Sequence, residues 1–167
     1  MRIRLRSVVA AGVAAALVAV AYVALTDHPP APDATFVLLS GRKLTTTQLR
    51  GKVYLVNFWA TSCATCIKEM PQMIQTDQRF KGRDFAFVAV AMSYDPPDFV
   101  EQYARTRRLP FDVARDADGS VARAFFGVRM TPTTFLVDKR GRILKRILGE
   151  PDFPELHRLI RRELAAS

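Results

Sequence analysis

The sequence predicts an α/β fold in which a mixed β-sheet is flanked by helices. Two features of the chain support this class. Apolar runs of strand length alternate with segments of helical length, which is typical of parallel βαβ units. The alternation ends in a β-hairpin and a helix, and a hairpin adds antiparallel strands to the sheet. With 49% hydrophobic residues among 167, the chain can also fill one substantial core.

The first 26 residues predict a targeting segment. Arg2, Arg4 and Arg6 precede an uncharged run. That run, Ser7 to Thr26, is about 30 Å long as a helix, roughly one hydrocarbon core. Positive charge before it predicts a cytoplasmic N-terminus and an exported remainder. We favour a signal anchor over a signal peptide because the run is long for a cleaved segment, although Ala19-Val20-Ala21 offers a cleavage site.

A proline-rich linker, residues 27–33, leads from the predicted anchor into a domain over residues 34–167. Its three prolines predict a stiff, extended spacer that holds the domain off the membrane. The whole chain carries a formal net charge of +9. Its basic residues are not interleaved with aromatic ones in a nucleic-acid-binding motif, so we expect attraction to anionic lipid or to an acidic partner.

The N-terminal half of the domain predicts a central buried strand followed by a helix. The run Val53–Trp59 is apolar almost throughout, which is typical of a strand buried on both faces. Pro71 is predicted to interrupt and kink the helix that follows. The predicted elements are a hairpin strand Thr35–Leu39 with a turn at Ser40–Arg42, a helical turn Thr45–Leu49, strand Val53–Trp59, helix Ala64–Arg79 and strand Phe85–Ala91.

The C-terminal half predicts further helices between short strands, then a hairpin and a closing helix. Pro96-Pro97 is a typical helix start, and we expect Phe99, Tyr103 and Leu109 on the apolar side of that helix. The predicted elements are helix Pro96–Arg108, strand Phe111–Ala114, helix Gly119–Phe126, strands Thr133–Asp138 and Ile143–Leu148 around a turn at 139–142, and helix Phe153–Leu164.

The two cysteines of the chain, Cys63 and Cys66, lie where the central strand gives way to a helix. The N-terminus of a helix carries roughly half a positive charge, which stabilises a thiolate and lowers the pKa of a thiol there. Cys63 takes the exposed first position. Cys66, one turn in, is placed to attack any mixed disulfide that Cys63 forms.

Other roles for a cysteine pair fit this spacing less well. A disulfide that closes a loop over two intervening residues constrains the unfolded chain little. A structural zinc site needs four ligands, and the only histidines are the distant His28 and His157. Haem attachment needs a histidine directly after the second cysteine, where Ile67 stands. We therefore favour a redox-active dithiol over two inert buried thiols, and expect neither a metal nor a separate cofactor.

A second candidate site is the segment Arg129–Thr133 at the entrance of an apolar strand. Pro132 cannot donate a hydrogen bond to a sheet. Its preceding peptide bond has a trans preference of only about 0.5–1 kcal/mol, so packing can fix the cis form. The local sequence favours the cis and trans forms equally.

Taken together, these motifs resemble the thioredoxin superfamily, and within it the membrane-anchored TlpA/ResA-like thiol–disulfide oxidoreductases. The resemblance covers nearly all of the domain. It rests on Trp59-Ala60, Cys63-x-x-Cys66, Lys68-Glu69-Met70-Pro71, the inserted strand and helix over residues 85–108, Asp116–Gly119, Gly127-Val128, and Thr131–Asp138 with Gly141.

The resemblance implies a thioredoxin-like fold with Cys63 as nucleophile and Cys66 as resolving thiol. It further implies that Pro132 is a cis-proline facing them, and that the backbone at Thr131 binds an incoming polypeptide in an extended pose. Trp59 is expected to serve partly as core and partly as a platform for substrate.

This chain departs from many relatives at two positions near the dithiol. Ser62 replaces a bulky residue and Thr65 a proline that many relatives have, which leaves the redox potential open. Thioredoxins proper have an aspartate where this chain has Asn57. The TlpA/ResA type shares that exchange and has a glutamate where Glu69 stands, so Glu69 is the expected proton acceptor for the resolving thiol, with a solvated helix residue as the alternative.

The favoured function is reduction of disulfides in exported proteins on the periplasmic side of the bacterial inner membrane. The family suggests apocytochrome c or a copper-site assembly protein as substrate, and a DsbD/CcdA-type membrane protein as electron donor. Two alternatives stay open: an oxidant that introduces disulfides, and a copper(I) chaperone, because the chain has several methionines besides the dithiol. A peroxidase is disfavoured, since Ala60 replaces the threonine of its nucleophile motif.

Overall fold

The computed structural model describes residues 28–166, so the predicted targeting segment lies outside the described residues. The helices in this part of the chain are not both long and apolar enough to cross a membrane. The elements are β1 (Thr35–Leu38), β2 (Lys43–Thr45), a short 3₁₀ helix (Thr47–Leu49), β3 (Val53–Trp59), α1 (Ala64–Phe80), β4 (Phe85–Ala91), α2 (Pro97–Arg107), β5 (Asp112–Arg115), α3 (Ser120–Ala124), β6 (Thr133–Val137), β7 (Ile143–Leu148) and α4 (Phe153–Ala165).

The strands form one mixed sheet in the order β2-β1-β5-β4-β3-β6-β7. Strands β3, β4 and β5 are parallel, because a helix crosses back over the sheet between each pair. The β6–β7 hairpin pairs antiparallel with the other side of β3. The sheet therefore has a carboxyl end, where β3–β5 finish and β6 begins, and an amino end, where β3–β5 begin and the β6–β7 turn lies.

Strand β3 is buried along its whole length because helices cover both faces of the sheet. Its side chains alternate between two cores. Tyr54 and Phe58 pack in the core that contains Phe125, after α3. Leu55 and Trp59 pack in the other core, against α1 and α4. Asn57 is buried on the same face as Leu55 and Trp59, so the strand directs it towards α1.

The structure confirms the predicted mixed sheet and every predicted element to within a few residues, but it corrects two local expectations. Helix α1 continues through Pro71 without interruption, with the proline exposed on its surface. In α2, the buried residue is Val100, whereas Phe99, expected on the apolar side, is 59% exposed. Helix α2 thus turns an aromatic side chain towards solvent.

The predicted spacer also differs from the expectation of a free, extended linker. The amide of Ile143 donates to the carbonyl of Pro29 at 2.8 Å, and the amide of Ala31 donates to Gly141 at 2.8 Å. Pro30 forms a bridge with Arg142 between these bonds. Residues 29–31 are therefore part of the folded domain, held against the β6–β7 turn at the amino end of the sheet.

Candidate active site

The dithiol lies at the carboxyl end of the sheet, where β3 ends and α1 begins. A loop over residues 60–62 leads from Trp59 into Cys63, the N-cap residue of α1. Cys63 and Cys66 are joined by a disulfide, so this is the oxidised form. Cys63 is partly exposed, whereas Cys66 is wholly buried under the first turn. An external thiol or disulfide can reach only the sulfur of Cys63.

The Cys63 sulfur sits at the positive end of the α1 dipole. It accepts a hydrogen bond from the backbone amide of Cys66 at 3.2 Å, in the way that a capping side chain satisfies the first turn of a helix. Both effects favour negative charge on this sulfur once the disulfide is reduced. The burial of Cys66 disfavours its thiolate, because an unpaired charge loses its hydration there.

Glu69 lies one helical turn beyond Cys66 and is wholly buried. The side-chain amide of Asn57 donates to Glu69 Oε1 at 3.1 Å and to Thr134 Oγ1 at 3.0 Å. Three elements, β3, α1 and β6, therefore meet at one carboxyl group. Glu69 is not the solvated helix residue that the sequence left as an alternative.

Burial raises the pKa of Glu69 to about 8, and the hydrogen bond from Asn57 opposes this shift only in part. Glu69 Oε2 has no hydrogen-bond partner among the described residues, so it is the oxygen free to hold the proton. A carboxyl group with a pKa near the working pH exchanges a proton readily. In its ionised form, Glu69 can therefore accept the proton that Cys66 must lose before it attacks.

Pro132 follows a cis peptide bond, which confirms the form that the family resemblance implied. Thr133 pairs with Phe58 at the end of β3, which brings Pro132 beside the start of the dithiol loop. The backbone amide and carbonyl of Thr131 have no hydrogen-bond partner among the described residues. These two groups are available to an extended polypeptide, and the binding of one there stays a prediction.

Two residues of the site had not been singled out in the sequence. Asp95 is buried at the carboxyl end of the sheet and accepts hydrogen bonds from the amide of Thr61 at 2.7 Å and from its hydroxyl at 2.5 Å. It thereby fixes the loop that leads into Cys63. The hydroxyl of Tyr94 lies 3.3 Å from Thr131 Oγ1. An acidic residue directly before Pro96, just past a strand end, was the available signal for this loop anchor.

The structure corrects the assignment of Trp59 to substrate binding. Its side chain is wholly buried and packs against Tyr103, with ring centroids 5.3 Å apart. Exposed aromatic surface near the dithiol comes instead from Tyr94 and Phe99, which line a groove of about 540 Å³ together with Ser62. Trp59 is therefore a core residue next to the dithiol loop.

Within residues 28–166, no group of three or more histidine, cysteine or acidic residues is close enough to hold a metal ion. Met70 and Met73 are buried in the core against the sheet, while Met130 is 66% exposed beside Thr131. Met92 is buried in the other core, so three of the four methionines that could supply copper ligands beside the dithiol are core residues.

Sequence comparison finds the same chemistry in known proteins. A sequence model described as Redoxin matches residues 27–160. The thiol-disulfide oxidoreductase ResA of Bacillus thuringiensis subsp. konkukian (strain 97-27) is 32% identical over 133 residues, which are 79% of this chain and 75% of that protein. ResA of Geobacillus thermodenitrificans (strain NG80-2) is 37% identical over 119 residues, 71% of this chain and 67% of that protein.

Solved structures agree with this likeness. A solution structure from Neisseria meningitidis, described as a thioredoxin, is 41% identical with a TM-score of 0.77, and the match covers 84% of this chain and 93% of that one. A thiol:disulfide interchange protein of the thioredoxin family from Chlorobium tepidum TLS is 30% identical with a TM-score of 0.75, covering 84% and 99%.

Proposed function

This chain belongs to the Redoxin family and is a ResA-like thiol–disulfide oxidoreductase of the thioredoxin superfamily, and on that premise we propose that it reduces disulfides in exported proteins. The proposed substrates are polypeptides with paired cysteines, of the cytochrome c maturation or copper-site assembly type. A membrane protein of the DsbD/CcdA type is the proposed source of electrons.

One observation supports the reducing direction: in the part of the chain that the structure describes, a Cys63 thiolate is stabilised by the helix dipole and one amide and by no cationic side chain. Within residues 28–166, the sole hydrogen-bond donor to the Cys63 sulfur is the amide of Cys66. The nearby ammonium of Lys68 pairs with Glu150 at 2.8 Å instead. A dithiol becomes strongly oxidising when its reduced form is stabilised. With one amide and a helix dipole alone, this dithiol is expected to give up its electrons readily.

In the proposed cycle, the Cys63 thiolate attacks one sulfur of a substrate disulfide and expels the other as a thiolate. The resulting mixed disulfide joins Cys63 to the substrate. Cys66 then passes its proton to the ionised form of Glu69 and attacks the Cys63 sulfur, which releases the second substrate sulfur as a thiolate. Two electrons have moved to the substrate, and the Cys63–Cys66 disulfide of the present structure remains. The membrane donor returns those electrons to restore the dithiol.

The exported location is supported by the leader sequence. Three arginines before an apolar run of membrane length predict a domain outside the cytoplasm, on the periplasmic side of the inner membrane. Outside the cytoplasm thiols are generally oxidised, so a reductant there needs a dedicated supply of electrons. The proposed anchor keeps the enzyme beside a donor in the same membrane.

The direction is tested by the equilibrium redox potential of the dithiol against glutathione and dithiothreitol buffers. We expect a potential more negative than about −200 mV, in the range of thioredoxin and glutaredoxins. The control is Thr65→His at an exposed position between the cysteines, which should raise the potential because an imidazolium stabilises the Cys63 thiolate. A wild-type potential near about −120 mV, the value of a strong oxidant, would overturn the proposal.

A further inference from the structure

A cluster of exposed basic side chains lies at the amino end of the sheet, opposite the dithiol. This face is built from the segments that begin β3 and β4, the β6–β7 turn and the end of α4. The amide of Gly51 donates to Lys139 at 2.8 Å, and the ammonium of Lys139 donates to the carbonyl of Leu164 at 3.0 Å. These bonds join the separate segments into one continuous surface.

Six exposed basic side chains lie on this surface, none of them in a salt bridge with a described residue. They are Arg50, Lys52, Lys81, Arg83, Arg140 and Arg161. The acidic groups there are fewer. Asp138 is paired with Arg142 and Glu163 with Arg162, Asp77 is buried near Lys81, and Asp84 is exposed in the turn before β4. We call the surface formed by the six side chains the basic face.

The chain enters the domain at the same place. The carbonyl of Pro29 accepts from Ile143, and Pro30 bridges to Arg142, beside the basic face. The apolar run of the leader ends at Thr26, only three residues before Pro29. Three residues span at most about 11 Å, so an anchored domain keeps this end close to the headgroup layer.

We propose that the basic face docks on anionic lipid headgroups and thereby orients the anchored domain with its dithiol away from the membrane. The inference rests on the proposed anchoring of the chain. Cationic side chains near an anionic bilayer are attracted within a Debye length of about 8 Å at physiological ionic strength, a distance that the short tether matches. Strand β3 separates the basic face from the dithiol by about 20 Å, which leaves the active site open to polypeptides.

The test uses the full-length chain held by its leader in nanodiscs of either phosphatidylcholine or phosphatidylglycerol. A water-soluble acylating reagent labels exposed lysines, and mass spectrometry gives the rate at each one. Lys52 and Lys81 report on the basic face, and Lys68, 73% exposed at the dithiol end, is the internal control. We expect several-fold slower acylation of Lys52 and Lys81 in phosphatidylglycerol discs, lost in high salt, with no change at Lys68.

A pair of charge-reversal variants provides a matched control. Arg83→Glu with Arg140→Glu should abolish the protection of Lys52, whereas Arg115→Glu with Arg123→Glu, near the carboxyl end, should preserve it. Equal reactivity of Lys52 in the two lipids overturns the proposal while leaving the anchor intact. Protection that appears only in native membranes also overturns it, and indicates an acidic membrane protein as partner. A chain that fails to remain in either disc overturns both the anchor and the docking.

Discussion

Replacing Glu69 with glutamine should stabilise the oxidised protein by an amount that depends on pH. The native carboxyl has a pKa of about 8, against 4.5 for an ordinary glutamate. Between these values the folded state holds a proton that the unfolded state lacks. The free energy of unfolding of the wild type therefore falls by about 1.4 kcal/mol for each pH unit. Glutamine resembles the protonated side chain and cannot ionise. The variant therefore keeps the free energy of unfolding that the wild type loses, about 3 kcal/mol by neutral pH.

Thermal unfolding of the two oxidised proteins across this pH range measures the effect. The curves should converge well below pH 4.5, the ordinary pKa of this side chain, because Glu69 is protonated there in both states, and they should differ by about 10 °C at neutral pH. Above about pH 8 the difference should stay constant. Glu101→Gln, an exposed change of equal charge, should show no such divergence. A difference between Glu69→Gln and wild type that is flat over the same range would show that Glu69 titrates with an ordinary pKa, which would refute the raised pKa that follows from the burial of its side chain.

Four further outcomes are expected. Glu69→Gln should slow stopped-flow disulfide exchange by about 100-fold, since Cys66 loses its proton acceptor; wild-type rates across the pH range would return Glu69 to a structural role. Iodoacetamide should alkylate Cys63 faster than Cys66 in the reduced protein at neutral pH, and the reverse order would invert their roles. Cys66→Ser should accumulate mixed disulfides with exported proteins in non-reducing pull-downs, with Cys63→Ser as an empty control; equally empty lanes from both folded variants would argue against polypeptide exchange. Asp95→Asn should lower stability by about 1–2 kcal/mol in urea unfolding by weakening the bonds to Thr61, and an unchanged midpoint would show that the loop is held by other contacts.

Strands whose burial is fixed on both faces were predictable from the sequence. The limits of β3 agree with the prediction because an apolar run in that position has one stable placement, inside the sheet. The buried side of helix α2 was harder to predict from the sequence. Its exposed Phe99 adjoins the buried Val100, and short helices with few apolar residues leave the buried side ambiguous. The helix start at Cys63 was predictable for a local reason, namely the change from strand pattern to polar residues.

The environment of the site could not be predicted with the same detail, because its contacts join distant parts of the chain. Asn57 reaches Thr134 across 77 residues, and Asp95 reaches Thr61 across 34. The sequence gives the type of each side chain but not the depth at which it is buried. Glu69 has the spacing of an exposed helix position as well as of a buried one, and only the meeting of α1 with β3 and β6 decides between them.

Placing the carboxyl group on α1 makes the reactive unit contiguous. The nucleophile, the resolving thiol and the proton acceptor all fall within the segment Cys63–Glu69 on one helix, whereas a carboxylate on the central strand would come from a separate part of the chain. A contiguous unit can be transplanted. Exchanging this single segment, together with an amide at the position of Asn57, should transfer the proton-transfer behaviour to another protein of the same fold. The rest of the fold then serves as a common scaffold, and the start of α1 is the segment to exchange in protein engineering.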